Sequence, residues 1–329
     1  MKRALLAATV LAMCLSSARA EVTEVKFARQ FGLPYLALVL MEKHQLIEKH
    51  AAKAKVNLKA NWATISAASI NESMISGAIH ISATGTGPMV LVWDRTKGNL
   101  NVKGLAAISD IPMSLMSRNP NFKTLKDISA SDRIALPAAN LGSMQAITLK
   151  KAATQLFGND GLKKFDTNMI SMAHPDALAA LLSGKHEVNA HFTTPPYSYI
   201  EAEDKSVHRV LSSFEVWGPS TLITINTSAK FFNENPNAIK VILAALQEAC
   251  DMANGNRKQA LADYIELTKE KLSPGVQAAF LADKEIEFNI APRGIYQVAE
   301  FMLLVGAIKN KANSWKDLFH SAIHDKSGS

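Results

Sequence analysis

The sequence predicts an α/β protein of two lobes, each a mixed β-sheet flanked by helices, connected by two hinge crossings. Three observations support this fold class. A helix–strand–loop–helix pattern occurs twice, further strand candidates alternate with helical segments, and the last third of the chain is almost wholly helical in pattern. Because single cores stop growing at roughly 250–300 residues, a chain of 329 residues has room for two.

The repeated pattern is the most specific of these observations. It reads DALAALLSGKHEVNAHFTTPPY from Asp176, and a shift of 107 residues matches it without a gap to the segment that begins at Ser69. The matched pairs are Gly77 and Gly184, Ile81 and Val188, Ala83 and Ala190, Thr86 and Thr193, and Pro88 and Pro195. Glycine is favoured where a helix ends and proline where one begins. Each copy therefore predicts a strand that ends in a hydroxyl-rich loop before a helix N-terminus.

The other elements are predicted from the spacing of apolar residues and from the Gly and Pro residues that end helices and strands. Strands are predicted, outside the first copy, over residues 22–29, 56–62, 102–108, 112–117, 133–137, 168–172, 187–191 and 207–212. Helices are predicted over residues 34–41, 46–54, 88–96, 145–157, 239–252, 260–267, 274–281 and 295–308, with another opened by Pro195.

Two places indicate that the chain passes between lobes. Adjacent strand candidates flank Asp110, and a segment near Trp217 carries the chain back. We therefore expect residues 21–109 and 215–329 to form the first lobe and residues 110–214 to form the second. Such a monomer would close on a ligand by bending near these two crossings.

The N-terminus has the form of a secretory signal peptide. Lys2 and Arg3 precede an apolar run that ends at Leu15, and Ala18-Arg19-Ala20 is a good cleavage site. Residues 1–20 are therefore predicted to be a signal peptide cleaved after Ala20, which places the mature chain in the periplasm. The alternative is a lipoprotein cleaved before Cys14.

Charge and cysteine content exclude some classes of protein. The net charge of +7 falls to +4 without the leader, and no basic stripe with interleaved aromatic residues indicates nucleic-acid binding. The mature chain keeps only Cys250, in an apolar helix pattern, so a disulfide framework is not expected.

Candidate ligand-binding residues lie where predicted strands end, because open α/β sheets bind ligands beyond the carboxyl ends of their strands. Helix N-termini there can hold an oxyanion without a cation, and no Arg or Lys lies inside these loops. The candidates are Gln30, Phe31, Tyr35, Thr84, Gly85, Thr86, Asn140, Gly142, Ser143, His191, Thr193 and Thr194.

Enzyme and metal patterns are weak. His44 and Glu48 share a helix face, but the His-Glu-x-x-His pattern of zinc proteases is missing. Neither a Gly-x-Ser-x-Gly nucleophile elbow nor a Walker loop occurs. We expect neither catalysis, nor a cofactor, nor a metal. His191 is either a ligand contact or a structural histidine, and His174 is interpreted as a helix-start residue.

The sequence resembles the periplasmic substrate-binding proteins of ABC importers, in the branch that binds nitrate, sulfonates, taurine and thiamine precursors. The segments that carry the resemblance are 75–88, 136–143, 181–195, 223–236, 301–306 and 314–319. The resemblance implies the type II periplasmic-binding-protein fold and ligand binding through the four strand-end loops above. It also implies a permease in the inner membrane as partner.

The resemblance leaves the ligand open. Sulfonate, nitrate and taurine suit the helix N-termini, whereas a heterocycle such as a thiamine-pyrimidine precursor would stack on Phe31, Tyr35 or Phe192. Some relatives of this fold make the thiamine pyrimidine, but they carry a Cys-rich segment that is missing here. A binding protein that serves a sensor rather than a transporter is a further alternative.

Overall fold

The computed structural model describes residues 20–185 and 187–329. The predicted signal peptide, apart from Ala20, and Cys14 lie outside the described residues. The strands are β1 (Glu24–Arg29), β2 (Lys59–Thr64), β3 (Ile81–Gly85), β4 (Lys103–Asp110), β5 (Ser114–Ser117), β6 (Ile134–Leu136), β7 (Met169–Ser171), β8 (Ala190–Thr193), β9 (His208–Ser212), β10 (Thr221–Thr227) and β11 (Glu287–Phe288).

Helices cover much of the rest of the described chain. They are α1 (Leu36–Lys43), α2 (Leu46–Ala54), α3 (Ala67–Ile75), α4 (Thr86–Thr96), α5 (Met144–Phe157), α6 (His174–Ser183), α7 (Tyr197–Glu203), α8 (Ser213–Trp217), α9 (Ala229–Glu234), α10 (Pro236–Gly255), α11 (Arg257–Thr268), α12 (Pro274–Ala282), α13 (Ile295–Leu304) and α14 (Trp315–Leu318). Short 3₁₀ helices lie at Leu33–Tyr35, Leu125–Asp127, Gly158–Leu162, Asp166–Asn168 and Ser321–Ile323.

The strands form two mixed sheets. The six-stranded sheet has the order β11-β4-β10-β3-β1-β2, and the five-stranded sheet has the order β7-β6-β8-β5-β9. In the first sheet β1 runs parallel to β2 and β3, while β10 lies antiparallel between β3 and β4. In the second, β6 runs parallel to β7 and β8, and β5 lies antiparallel between β8 and β9. The predicted fold class, two mixed sheets flanked by helices, is confirmed.

The repeated unit forms the same four elements in both sheets, with shifted boundaries. Gly77 and Gly184 take positive φ angles of 75° and 61° after α3 and α6, as helix-ending glycines do. In the first copy α4 begins at Thr86, two residues before the predicted start. In the second copy the strand begins at Ala190 rather than at residue 187, because its parallel neighbour β6 begins only at Ile134. The following helix, α7, begins at Tyr197 rather than at Pro195.

The core is continuous across both sheets. Helix α1 is buried on all sides from Leu36 to Met41, which is expected of a helix that is apolar all round. The 20-residue helix α10 packs its apolar stripe, which includes Ile242 and Leu246, against α1 and α2. Cys250 lies on the same stripe, fully buried, and burial raises the pKa of its thiol.

The chain changes sheet twice, between Asp110 and Ser114 and between Ser212 and Thr221. Asp110 ties the two crossings together. Its buried carboxylate accepts hydrogen bonds from Thr221 Oγ1 at 2.8 Å and from Asn289 Nδ2 at 3.0 Å. The lobe boundaries at residues 109/110 and 214/215 stay predictions, because they concern which parts move together.

Candidate ligand-binding site

A cavity of about 430 Å³ is lined by residues from both sides of the molecule. Its volume lies within the range of about 300–1,000 Å³ typical of small-molecule sites. One wall comes from residues 30–35, 71–75, 85–95 and 222–223, and the other from residues 137–145, 171–174 and 194. The segments that follow β1, β3, β6, β7 and β8 all contribute. The carboxyl ends of parallel strands in both sheets therefore meet at one cavity, as the fold class predicts.

The loop after β1 contributes an aromatic edge to the cavity. Phe31 is 49% exposed despite its size, and Tyr35 lines the cavity from a buried position behind it. Gly32 has a φ of 105°, and its carbon lies so close to Pro195 that a Cβ would be 3.2 Å from the Pro195 carbonyl oxygen. The backbone N–H of Leu33 donates to the same oxygen at 3.1 Å. The loops after β1 and β8 thus touch along one side of the cavity.

Helix α4 presents its first turn and one face to the cavity. Its N-cap residue, Gly85, has no side chain to bond the first N–H groups of the helix. Pro88, Leu91 and Arg95 line the cavity at spacings of three and four residues, which place them on one helix face. Arg95 is exposed, and Glu72 on α3 is an exposed acid in the same lining. The described lining therefore holds both a cation and an anion.

The loop before α5 supplies polar groups from the opposite wall. Asn140 Oδ1 accepts from the backbone N–H of Gly142 at 2.9 Å. Ser143 is the N-cap of α5, since its Oγ accepts from the N–H of Ala146 at 3.4 Å and donates to Gln145 Oε1 at 3.2 Å. The amide nitrogen of Gln145 is left as a donor at the cavity wall.

The two walls also touch near the start of α4. A Cβ on Gly87 would lie 3.0 Å from the carbonyl oxygen of Gly142 and 3.2 Å from the backbone nitrogen of Met144. Any larger residue at position 87 would push these segments apart. A glycine is needed here because two backbones approach closely, which is a contact that only the tertiary structure reveals.

A chain of three ionisable groups runs from the interior of the protein to the cavity. His174 begins α6 and lines the cavity, and its Nδ1 lies 2.8 Å from His191 Nε2. His191 Nδ1 lies 2.5 Å from Glu201 Oε1, and both side chains are fully buried. Burial lowers the pKa of His191 to about 3 and raises the pKa of Glu201 well above its usual range. Burial and the neighbouring His191 hold the pKa of His174 well below its usual range. Burial therefore favours the neutral form of each of the three groups.

Eight of the twelve residues predicted for the site line the cavity: Gln30, Phe31, Tyr35, Gly85, Asn140, Gly142, Ser143 and Thr194. Their roles in ligand binding stay predictions. The other four are buried outside the lining: Thr84, Thr86, His191 and Thr193. Thr86 illustrates why, since its hydroxyl donates to the carbonyl oxygen of Thr221 at 2.7 Å and joins α4 to β10.

Sequence reasoning missed the lining residues that lie within helices rather than in loops. These are Asn71, Glu72, Ile75, Pro88, Leu91, Arg95, Met144, Gln145 and His174. The expectation that no cation serves the site considered only the loops, whereas Arg95 lies two turns farther along α4. The 3–4 spacing from Pro88 to Arg95 was the available signal, because the face that begins at the cavity continues along the helix.

Other candidate features have separate structural partners. His44 bonds to Asp263 at 2.7 Å, whereas Glu48 accepts from the backbone N–H of Ala60 at 2.8 Å. Among the described residues, no group of three or more His, Cys, Asp or Glu side chains is placed to hold a metal ion. Within residues 20–185 and 187–329, no helix has the length and apolar character needed to cross a bilayer.

Two α/β lobes with two strand crossings and a cavity lined from both define the periplasmic-binding-protein fold. The chain belongs to the NMT1-like family, whose sequence profile matches residues 18–268. The family resemblance predicted from the sequence is thereby confirmed. No curated protein matches the sequence at a significant level.

Solved structures share the fold at low sequence identity. The alkanesulfonate-binding protein SsuA from Xanthomonas axonopodis pv. citri, bound to MOPS, has a TM-score of 0.68 at 16% identity over 88% of this chain and 92% of that one. The periplasmic aliphatic sulphonate-binding protein SsuA from Escherichia coli has a TM-score of 0.68 at 19% identity over 92% and 93%. The periplasmic nitrate-binding protein NrtA from Synechocystis PCC 6803 has a TM-score of 0.66 at 15% identity over 92% and 84%. At these identities the likeness establishes the fold.

Proposed function

We propose that this protein is a periplasmic solute-binding protein that captures a small organic oxyanion between its lobes and delivers it to an ABC permease. The observation that carries the proposal is the cavity itself, which is lined by strand-end segments of both sheets. A ligand that touches both walls favours the closed arrangement, and a permease can recognise that arrangement. The protein's part is binding rather than catalysis.

The chemistry of the lining favours an organic oxyanion over nitrate. The uncapped first turn of α4, together with Arg95, offers N–H groups and positive charge. Phe31 and Ile75 offer exposed apolar surface in the same cavity. A four-atom anion would use little of a volume of about 430 Å³ and none of the apolar wall. Sulfonates fit better, and the presence of Glu72 favours an aminosulfonate such as taurine.

A heterocycle is the second candidate, and Phe31 and Tyr35 are the observation that favours it. Both aromatic rings line the cavity, and one face of a planar ligand could stack there. Phe192, the third predicted stacking ring, is fully buried in the core outside the cavity. The aromatic surface is therefore confined to one wall.

Thermal-shift and calorimetric titrations with taurine, ethanesulfonate, MOPS, nitrate and a 4-aminopyrimidine test the proposal. A true ligand at about 100 times its dissociation constant should add roughly 2.7 kcal/mol of apparent stability. Arg95→Gln should weaken sulfonate binding, while Lys97→Gln, which removes an exposed cation outside the lining, should not. Glu72→Gln should weaken taurine but not ethanesulfonate. Stabilisation by the pyrimidine alone would instead establish the heterocycle function.

Export and closure need their own measurements. N-terminal sequencing of periplasmic protein should begin at Glu21, whereas a lipid-modified chain beginning at Cys14 would contradict the soluble form. Small-angle scattering should show compaction of the monomer on binding, through bending near Asp110 and Trp217. An unchanged radius of gyration with a saturating ligand would contradict the hinge.

A further inference from the structure

Two buried groups, Glu201 and His191, and the half-buried His174 form one hydrogen-bonded line that ends at the cavity. Glu201 on α7 bonds to His191 on β8 at 2.5 Å, and His191 bonds to His174 on α6 at 2.8 Å. The 2.8 Å distance is that of an ordinary hydrogen bond, and the 2.5 Å distance is that of a short one. His174 Nδ1 is used in this line, so its other ring nitrogen, Nε2, is the one left over. No described protein group bonds to that nitrogen, and His174 lines the cavity.

We propose that Glu201, His191 and His174 form a proton-coupled relay, which sets whether His174 Nε2 offers the ligand a hydrogen-bond donor or an acceptor. His174 is then a specificity-determining contact, and Glu201 and His191 are positioning residues behind it. The ligand side of this inference rests on the proposed function, whereas the relay itself does not.

The burial of Glu201 indicates the protonation state of this line of groups. Within the part of the chain that the structure describes, its Oε2 atom is buried without a hydrogen-bond partner, and its Oε1 atom bonds to His191. An ionised carboxylate in such a place would be costly, because it lacks both solvent and a cation. The O–H group of the neutral acid donates a hydrogen bond to His191 Nδ1. His191 Nε2–H then donates to His174 Nδ1, which leaves the remaining hydrogen of His174 on Nε2.

Loss of one proton reverses the direction of every bond in the line. The neutral state carries three hydrogens, on Glu201 Oε1, His191 Nε2 and His174 Nε2. When His174 Nε2–H releases its proton to the cavity, the His191 Nε2 proton moves to His174 Nδ1 and the Glu201 proton moves to His191 Nδ1. Two hydrogens and one negative charge remain. His174 Nε2 is now an acceptor, and an anionic ligand loses a donor and meets a carboxylate charge.

Few other charges face the relay. On the neighbouring strands, Met116 of β5 and Ala135 of β6 lie opposite His191 and do not titrate. Tyr197 stacks on the His174 ring at 5.4 Å, and burial raises the pKa of its phenol. Across the cavity lie Glu72 and Arg95, both exposed. Other ionisable side chains on the packed elements have separate partners or are exposed: Asp176, Tyr199, Glu203, Asp204, His208 and Arg209.

Imidazole nitrogen NMR on the ligand-free protein tests the relay without any ligand. Between pH 5 and 10, His174 should lose its Nε2 hydrogen and His191 should change tautomer with one shared midpoint. Glu201→Gln should remove this transition, because the amide donates to His191 Nδ1 but releases no proton. Glu203→Gln, on an exposed neighbour of the same helix, should retain it. Different midpoints for the two histidines in the unmodified protein would overturn the relay. This observation uses only the unmodified protein, so it does not depend on whether a variant folds.

Calorimetric titration with ethanesulfonate tests the ligand side. This anion does not titrate between pH 5 and 10, so any pH dependence of its affinity comes from the protein. Above the midpoint its affinity should fall by up to tenfold per pH unit, because binding takes up one proton. Glu201→Gln should flatten this profile and Glu203→Gln should not. If the affinity of the unmodified protein for ethanesulfonate does not change with pH, the proposed contact between His174 and the ligand is wrong. Absence of binding at every pH would contradict both the sulfonate assignment and the His174 contact, while the NMR result would still stand for the relay.

Discussion

The two copies of the repeated unit end in different chemistry. Thr84 in β3 and His191 in β8 occupy equivalent positions, and both are fully buried. Thr84 Oγ1 accepts from Asn226 Nδ2 at 2.9 Å within a network of neutral groups. His191 instead joins Glu201 and His174 in an ionisable line that reaches the cavity. The first copy therefore contributes a fixed wall, and the second contributes a wall whose hydrogen bonding responds to protons.

The following helices diverge in the same way. In the first copy α4 starts directly after β3, and Asp94 near its end accepts backbone bonds from residues 309 and 310. The equivalent residue in the second copy is Glu201, which points to His191. The same local pattern thus makes the same elements, while distant residues decide what the polar side chains do.

The largest effect is expected at position 191. His191→Leu should lower the free energy of unfolding by more than about 1–3 kcal/mol, because the buried Glu201 loses a bond of that worth and the half-buried His174 loses a second bond. Thr84→Val, its counterpart, should cost about 1–3 kcal/mol, since only Asn226 loses a close partner. Urea unfolding of both variants measures the difference. Equal losses would contradict the contrast between the two copies.

The threonines that begin the two loops should also differ. Thr86→Val should lower stability by about 1–3 kcal/mol, because the buried carbonyl oxygen of Thr221 loses its donor at 2.7 Å. Thr193→Val should cost much less, since its hydroxyl makes only a 3.4 Å contact with the Thr194 carbonyl oxygen. Neither residue lines the cavity, so ethanesulfonate should bind both variants with unchanged affinity. Weakened binding by Thr193→Val would restore the role predicted from the sequence.

Ser143 is predicted to have two roles, one in stability and one in ligand binding. Ser143→Ala should lower the free energy of unfolding by about 1 kcal/mol through loss of the N-cap of α5. It should also weaken ethanesulfonate binding, because Gln145 loses the bond that orients its amide at the cavity wall. Melting temperature and dissociation constant are measured on the same variant. Lost stability with unchanged affinity would move the ligand away from this loop.

The last predicted effect is a gain in stability, and its size depends on pH. Glu201→Gln should raise the melting temperature above about pH 4.3, where an unfolded glutamate ionises while the folded one stays neutral. Ionisation of Glu201 in the unfolded chain favours unfolding of the unmodified protein, and a glutamine at this position does not ionise. The gap should widen with rising pH until the raised folded pKa of Glu201 is passed, and should vanish at lower pH. A scan from pH 4 to 9 measures it, with Glu203→Gln as control. A lower melting temperature at pH 8 would mean that Glu201 is ionised in the fold.

The sequence predicted more of the fold than of the site. Strand-end loops were found because alternation, glycine and proline are local signals, and eight predicted residues do line the cavity. Arg95 and His174 were missed because each lies in a helix whose direction relative to the cavity depends on packing. Thr86 was assigned to the site because its hydroxyl follows a strand, whereas its partner, Thr221, is 135 residues away.

The sequence alone determined the two-lobed α/β architecture, the two helix-ending glycines and the loops from which a site could be built. These features depend on residues close together in the chain, through backbone sterics and the periods of helix and strand. Tertiary structure alone decided which hydroxyls are buried, which cation reaches the cavity, and that Glu201 and His191 connect to His174. Burial and hydrogen-bond partners depend on segments that come together only when the sheets and helices pack. A local sequence pattern does not predict these contacts.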